Sequence, residues 1–166
     1  MRNIAIFYAS KTGKTKDIAY EISKHLEDIK KYDISITGSE YMTDYTNIIF
    51  GISTWDGGSI QEDWEKIWDD FSGINFSGKT VAIFGLGDQK KYPENFCDAM
   101  MPLYEQLKDA NAKVVGFTEN DDYNFKNSKA LLDNKFVGLA LDLENQSEMT
   151  INRIEEWVKT LRKDFS

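Results

Sequence analysis

The chain has 166 residues, 41% of them hydrophobic and 13% aromatic, which suits one domain, 1–166, built on one packed core. A formal net charge of −8 argues against nucleic acid and anionic membrane surfaces as partners, since both need basic patches, and favours proteins with basic docking faces. Cys97 is the only cysteine and His25 the only histidine, so neither an internal disulfide nor a metal site is expected; with no membrane-length apolar run and no signal-peptide pattern, a soluble cytoplasmic protein is.

The first predicted element is the apolar run Ile4-Ala5-Ile6-Phe7-Tyr8, short and rich in β-formers, a strand buried on both faces. The loop Ser10-Lys11-Thr12-Gly13-Lys14-Thr15 follows, and Ile18, Ala19, Ile22 and Leu26 then recur at helical spacing. A strand, a hydroxyl-rich turn and a helix start in succession make an anion site. The first helical N–H groups lack internal partners and sit at the positive end of the dipole. Ser10, Thr12 and Thr15 add hydroxyls, and Gly13 lets the backbone approach a phosphate. A nucleoside-triphosphate loop would need glycine where Tyr8 stands, and the dinucleotide glycine pattern is absent. One terminal phosphate monoester is the better match. Taken alone, the stretch also reads as an ordinary capped helix, and it leaves open whether Lys11 and Lys14 face a ligand or solvent.

Further along, Ile34-Ser35-Ile36 reads as a short second strand and Asn47 to Ile52 as a buried third. Trp64, Ile67, Trp68 and Phe71 mark a helix face, and Lys79 to Leu86 a fourth strand. Phe96, Met100, Leu103, Tyr104 and Leu107 form the inner face of the next helix, which Pro102 is positioned to bend. Val114 to Phe117 starts a fifth strand, Phe136 to Leu143 reads as its continuation, and Ile151, Ile154, Trp157, Val158 and Leu161 close the chain as an amphipathic helix. Strict alternation of strand and helix means a parallel sheet covered on both faces, with ligands at the carboxyl ends of the strands. The loops after strands one, three and four can then meet in one crevice.

The loop after strand three is Ser53-Thr54-Trp55-Asp56-Gly57-Gly58, where an indole without an obvious core role can stack on a flat heterocycle. Gly57 accepts either sign of φ, so its peptide can flip at low cost. The loop after strand four runs from Gly85 to Phe96. Gly85 and Gly87 let amides reach a ring edge, Tyr92 offers a second flat face, and Asp88 and Asn95 supply polar contacts. Each loop also has a plainer reading, a turn with a half-buried Trp and a surface loop with Asp88 as a turn residue. Together the three loops fit a planar ligand with a monophosphate tail.

These residues resemble the flavodoxin family. The first loop matches its N-terminal signature through Ile6-Phe7-Tyr8, Ser10 and Thr12-Gly13-x-Thr15; the second matches through Thr54, Trp55 and Gly58; the third through Gly85, Gly87, Asp88, Gln89, Tyr92, Asn95 and Phe96. The tail resembles the long-chain branch, in Tyr123-x-Phe125, Ser128-Lys129-Ala130, Lys135 to Asp142, Asn145-Gln146, Thr150, Arg153-Ile154 and Trp157. Ser53 stands where proline is common, Lys90-Lys91 bring positive charge to a loop often neutral, and Glu144 replaces a frequent aspartate.

The resemblance implies a flavodoxin-like three-layer α/β sandwich. Its five-stranded parallel sheet has the order 2-1-3-4-5, taken from the family, for which it is known, and not from the pattern. An insertion at about 118–135 splits strand five. It implies a low-potential one-electron carrier binding flavin mononucleotide (FMN) non-covalently, with no catalytic residues of its own, acting as a monomer between redox proteins. Ser10, Lys11, Thr12, Gly13, Lys14 and Thr15 form the phosphate loop. Trp55 and Tyr92 sandwich the ring, amides near Asp56–Gly58 and Leu86–Asp88 and around Asn95–Cys97 (Phe96 between them) meet its polar edge, Ser53 and Thr54 belong to the same cofactor site, and Glu144 lies near the ribityl chain. A flip of the Asp56–Gly57 peptide offers a carbonyl to the ring after its first electron. The alternative is an FMN-dependent quinone or azo reductase of the same fold, but no nicotinamide-binding feature is evident. A receiver domain would need an acidic cluster after strand one and an aspartate after strand three, where Ala9-Ser10 and Ser53-Thr54 stand.

Overall fold

The computed structural model describes residues 3–55 and 58–166. In chain order its main elements are β1 (Ile4–Tyr8), α1 (Lys14–Ser23), β2 (Ile29–Asp33), α2 (Ile34–Thr37), β3 (Asn47–Trp55), β4 (Ser59–Ile60), α3 (Glu62–Ser72), β5 (Thr80–Leu86), α4 (Met100–Asp109), β6 (Lys113–Val115), β7 (Thr118–Glu119), β8 (Leu131–Leu132), β9 (Lys135–Phe136), β10 (Leu139–Leu141) and α5 (Thr150–Asp164). The sheet path is β10-β5-β3-β1-β2, parallel throughout, and β6 also pairs with β5. The short strand β4 folds back antiparallel on β3.

Strand alternation sends side chains to two separate cores. Ala5 and Phe7 of β1 join Ile48, Phe50 and Ile52 of β3 under Trp64 and Phe71 of α3 and Leu103 of α4. Ile4, Ile6 and Tyr8 join Ile49 and Phe84 under Ile18 and Ile22 of α1 and Trp157 and Leu161 of α5. Two helices therefore cover each face of a continuous apolar sheet, the three-layer arrangement expected from the alternation and from the family. Among the described residues no helix is long and apolar enough to cross a membrane.

The fifth strand is split as expected. β6 lies beside the first half of β5, at Thr80–Ala82, and β10 beside the second half, at Phe84–Leu86. Between them the chain leaves the sheet and forms a small antiparallel sheet of its own, in the order β7-β9-β8. Phe136 belongs to this small sheet, so the return strand begins at Leu139, three residues later than the apolar run suggests.

The second strand is corrected. Ile34-Ser35-Ile36 lies in α2, because Asp33 caps that turn by accepting from the Ser35 N–H at 2.9 Å, with the Ser35 hydroxyl also donating to it. The strand is Ile29-Lys30-Lys31-Tyr32-Asp33, an edge whose exposed lysines hide the hydrophobic pattern and guard the edge against further pairing. Pro102 falls in the first turn of α4, where no intrahelical N–H bond is lost, so it starts the helix instead of bending it. Phe96 precedes α4 and packs in the core from an irregular turn.

Gly138 marks the tightest joint of the split strand. A Cβ there would overlap the Ile83 carbonyl, a backbone atom with no room to yield. Gly138→Ala should destabilise the protein by about 1–3 kcal/mol, read as a lower urea midpoint, and an unshifted midpoint would show that β10 docks less closely than described.

Candidate functional site

Three loops leave the carboxyl ends of β1, β3 and β5 and enclose one cleft of about 460 Å³. Its walls are Lys11 and Thr12 from the first loop with Lys14 and Thr15 at the start of α1, Ser53, Thr54 and Trp55 at the end of β3, which runs three residues past the expected Ile52, and Leu86 at the end of β5 with Gly87, Asp88, Lys91 and Tyr92 from the loop after it. Leu143 and Glu144 complete it from the segment after β10. The volume suits a small organic ligand.

In the first loop Gly13 occupies the N-cap of α1 at φ 89°, a left-handed conformation that favours glycine, and as a glycine it has no side-chain cap to give. The Asp17 N–H donates to the Gly13 carbonyl at 3.0 Å, and the Lys16 N–H donates to Ser10 Oγ at 3.2 Å. The N–H groups of Lys14 and Thr15, the first two helical residues, have no intrahelical acceptor by the geometry of a helix start. Thr15 is buried, whereas Lys11, Thr12 and Lys14 are exposed at the mouth. Ser10 and Gly13 shape the turn and do not line the cleft.

Trp55 is half-buried, and its Nε1 donates to Ser53 Oγ at 2.9 Å, so the serine in this loop sets the angle of the indole. Lys11 Nζ stands 5.8 Å from the centre of the same ring. Thr54 Oγ1 accepts from the Ala99 N–H at 3.0 Å, tying this loop to the start of α4. Gly58 has φ 105°, and a Cβ there would sit 3.0 Å from Asp98 Oδ2. Asp56 and Gly57, and with them the expected peptide flip, lie outside the described residues.

The third loop contributes Tyr92 to the wall, with Lys91 Nζ 5.5 Å from its ring centre. Gly87 carries a hydrogen where a Cβ would press on Phe96 Cδ1 at 2.9 Å and on Cys97 N and Sγ, both at 3.0 Å. Phe96 and Cys97 thus sit fully buried behind Gly87 and off the cleft wall, and Asn95 turns its amide to Asp98 Oδ2 at 3.0 Å. Burial pushes the Cys97 thiol well above its ordinary pKa, with the Asp142 and Asp98 charges adding to the effect. A thiol so held is protonated and inert at neutral pH.

Asp88 lies at the wall, but its carboxylate is engaged with the protein. Oδ1 accepts from the N–H groups of Lys90 at 3.1 Å and Lys91 at 2.9 Å, and from Asn145 Nδ2 at 2.8 Å. This is the turn-residue arrangement.

Sequence reasoning missed the support behind this wall. Asp142 is fully buried and accepts from neutral amides on both oxygens. Oδ2 takes Gln89 N at 3.0 Å, Gln89 Nε2 at 2.8 Å and Asn145 Nδ2 at 2.9 Å; Oδ1 takes Glu144 N at 3.1 Å and Asn145 N at 3.0 Å. The inserted segment braces the same loop from outside. Lys126 N and Asn127 N donate to the Pro93 carbonyl at 2.8 and 3.0 Å, Lys129 N donates to Asp98 Oδ1 at 2.7 Å, and Asn124 N donates to Gln89 Oε1. An aspartate at the end of an apolar strand, followed closely by Asn-Gln, was the available signal. Among the described residues, no group of three or more His, Cys, Asp and Glu side chains is placed to hold a metal ion.

The fold and cleft define an open α/β protein that receives its ligand at the carboxyl edge of the sheet. Comparison with known proteins is more specific. The family model for flavodoxins matches residues 6–157. The flavodoxin of Buchnera aphidicola is 44% identical over 169 aligned residues, covering 100% of this chain and 99% of its own, and that of a Nostoc species is 40% identical over 166, covering 99% and 98%. Among solved structures, Fusobacterium nucleatum flavodoxin bound to flavin mononucleotide aligns with a TM-score of 0.96 at 34% identity, covering 100% of both chains. The chain belongs to the flavodoxin family.

Burial alone would raise the Asp88 carboxyl, but the Lys91 N–H, the Asn145 amide and the Lys90 N–H outweigh it and hold the pKa below the ordinary 3.8. A depressed folded value stabilises the loop above the ordinary pKa, and that stabilisation is lost as pH falls through the folded value. Acid titration followed by NMR should therefore shift the Lys91 amide with a midpoint below 3.8. Asp88→Asn should abolish that shift, and a midpoint above 3.8 would contradict the turn.

Proposed function

We propose that the cleft binds FMN and that the chain is an electron carrier, passing single electrons between redox proteins without turning over a substrate of its own. The observation that carries this reading is the convergence, in one cleft, of a helix N-terminus whose first N–H groups have no intrahelical acceptor and two aromatic side chains, one at the end of β3 and one in the loop after β5. The residues present fit the group. The first turn of α1, with the hydroxyls of Thr12 and Thr15, suits a single phosphate monoester. Trp55 and Tyr92 supply apolar faces for a flat ring. Gly87 lets the third loop lie flat on Phe96 and Cys97, where a Cβ would push its backbone out of place.

In this reading Ser10 and Gly13 shape the phosphate loop, while Ser53, Thr54, Gly58, Leu86, Gly87 and Asp88 border the ring edge. Phe96 and Cys97 act from behind, fixing the backbone of the third loop. Bound FMN supplies one-electron chemistry. The chain's part is to hold the ring between two aromatic walls, restrict water at its faces, and surround it with an acidic protein that opposes added negative charge.

The reading extends to partners. Glu62, Glu65, Asp69 and Asp70 are exposed along α3, which begins beside the cleft, where Glu62 lies 4.0 Å from Lys11. That face suits a redox protein with a basic docking surface. We read the chain as a single domain of the long-chain branch acting as a monomer; the braced insertion between β6 and β10 supports the branch assignment.

The purified protein should be yellow or should take up FMN in equal proportion. Trp55→Ala and Tyr92→Ala should each weaken FMN binding by roughly tenfold or more, as loss of one stacking face costs about 1–3 kcal/mol. The loaded protein alone should leave NADPH unoxidised and pass electrons only when a reductase is added. A chain that stays colourless in excess FMN would overturn the reading, and steady NADPH oxidation by the chain alone would favour the reductase.

A further inference from the structure

Tyr32, Tyr41 and Tyr45 meet at the β2 edge of the sheet and take no part in the cleft walls. Tyr32 lies between two rings. Phe7 of β1 stacks on it at 4.9 Å between ring centres and 13° between planes, and Tyr41 stacks on it at 5.1 Å and 22°. Phe7 is fully buried and Tyr41 is exposed, so the stack runs from the core to solvent. The Tyr45 ring meets Tyr32 edge-on, and the two hydroxyls are 2.5 Å apart. Burial and the Tyr32 hydroxyl push the Tyr45 pKa up to about 12, with the Asp44 charge adding to the effect. The Tyr45 hydroxyl therefore keeps its proton at neutral pH and can donate to the Tyr32 oxygen. Lys79 Nζ ties down the segment that carries it, donating to the Thr43 and Tyr45 carbonyls at 2.9 and 2.6 Å. Packing alone would be met by phenylalanine, as at Phe7; phenols add a group that can lose an electron together with its proton.

We propose that this cluster is a site of one-electron oxidation separate from the cleft, where small peroxyl radicals are quenched and Tyr32 becomes joined to Tyr41. Tyr41, open to solvent, is where such a radical first meets the chain. A peroxyl radical takes one electron and one proton from a phenol and leaves as a hydroperoxide. Tyr41 recovers its hydrogen from Tyr32 across the stack, and a further peroxyl radical oxidises it again. The two phenoxyl radicals then form one carbon–carbon bond between ring positions ortho to oxygen, and the ring hydrogens displaced restore both hydroxyls. The Tyr45 hydroxyl, donating to the Tyr32 oxygen, stabilises the radical formed there. Phe7 has no hydroxyl hydrogen to give, so the oxidation stops at Tyr32 and spares the core.

The test is oxidation of the flavin-free full chain by peroxyl radicals from a heated azo initiator, followed by cleavage after glutamate and mass spectrometry. Cleavage after Glu27, Glu40 and Glu62 puts Tyr32 in one peptide and Tyr41 and Tyr45 in the next. The two peptides should appear joined, lighter by one hydrogen molecule. Tyr32→Phe and Tyr41→Phe should each abolish the joined species. Tyr45→Phe should lower its yield by roughly three- to tenfold, the worth of one hydrogen bond. The proposal is overturned if the joined species survives Tyr32→Phe or Tyr41→Phe, or if Tyr45→Phe leaves its yield unchanged. It is equally overturned if the radicals consume tyrosines elsewhere and leave this cluster intact.

Discussion

The cleft depends on a carboxylate that never meets solvent. Among the described residues no cation pairs with Asp142, and burying a lone charge is costly unless hydrogen bonds replace water. Here those bonds come from Gln89, Glu144 and Asn145, and they join the loop after β5 to the segment after β10. Asn145 carries the constraint one step further, to Asp88, and Asp88 closes the turn that leads to Tyr92. The position of one aromatic wall is thus set by a polar network in addition to the packing of Phe96.

The inserted segment belongs to the same logic. It leaves the sheet between β6 and β10, so it could have been a surface excursion without consequence. Instead its backbone N–H groups reach the Pro93 carbonyl and Asp98, and its Asn124 N–H meets Gln89. Tyr123 and Phe125 pack around Phe96, directly behind Gly87. Splitting the edge strand gives a third loop that is held from inside by Asp142 and from outside by the insertion.

Much of this architecture was legible because parallel strands buried on both faces read as unbroken apolar runs, as at Ile4–Tyr8 and Asn47–Ile52. Trp55 and Tyr92 were legible for the opposite reason, as large rings in loops with no core to serve. The edge strand Ile29–Asp33 was not, since Lys30 and Lys31 break its pattern, while Ile34-Ser35-Ile36 imitates a strand and is turned into helix by the cap at Asp33. Asn95, Phe96 and Cys97 sit close to the site in sequence but behind it in space, a distinction that only the packing at Gly87 reveals. Asp142 was visible as a residue and invisible as a hub, because its donors lie up to 53 positions away.

Charge around the cleft runs against the charge of the whole. The chain carries −8, yet among the described residues the walls place Lys11, Lys14 and Lys91 beside Asp88 and Glu144. Asp88 is turned into its own loop by amides and Glu144 is paired with Lys14, so Lys11 and Lys91 are the wall ammonium groups most open to a ligand on entry. In the proposed reading a local cationic rim draws in a phosphorylated flavin at close range, where screening is weakest, while the distant acidic surface faces partner proteins and the ring's added charge. Recruiting the cofactor and opposing its final electron are conflicting electrostatic demands. The chain separates them in space, with the first at the mouth and the second spread over the surrounding protein.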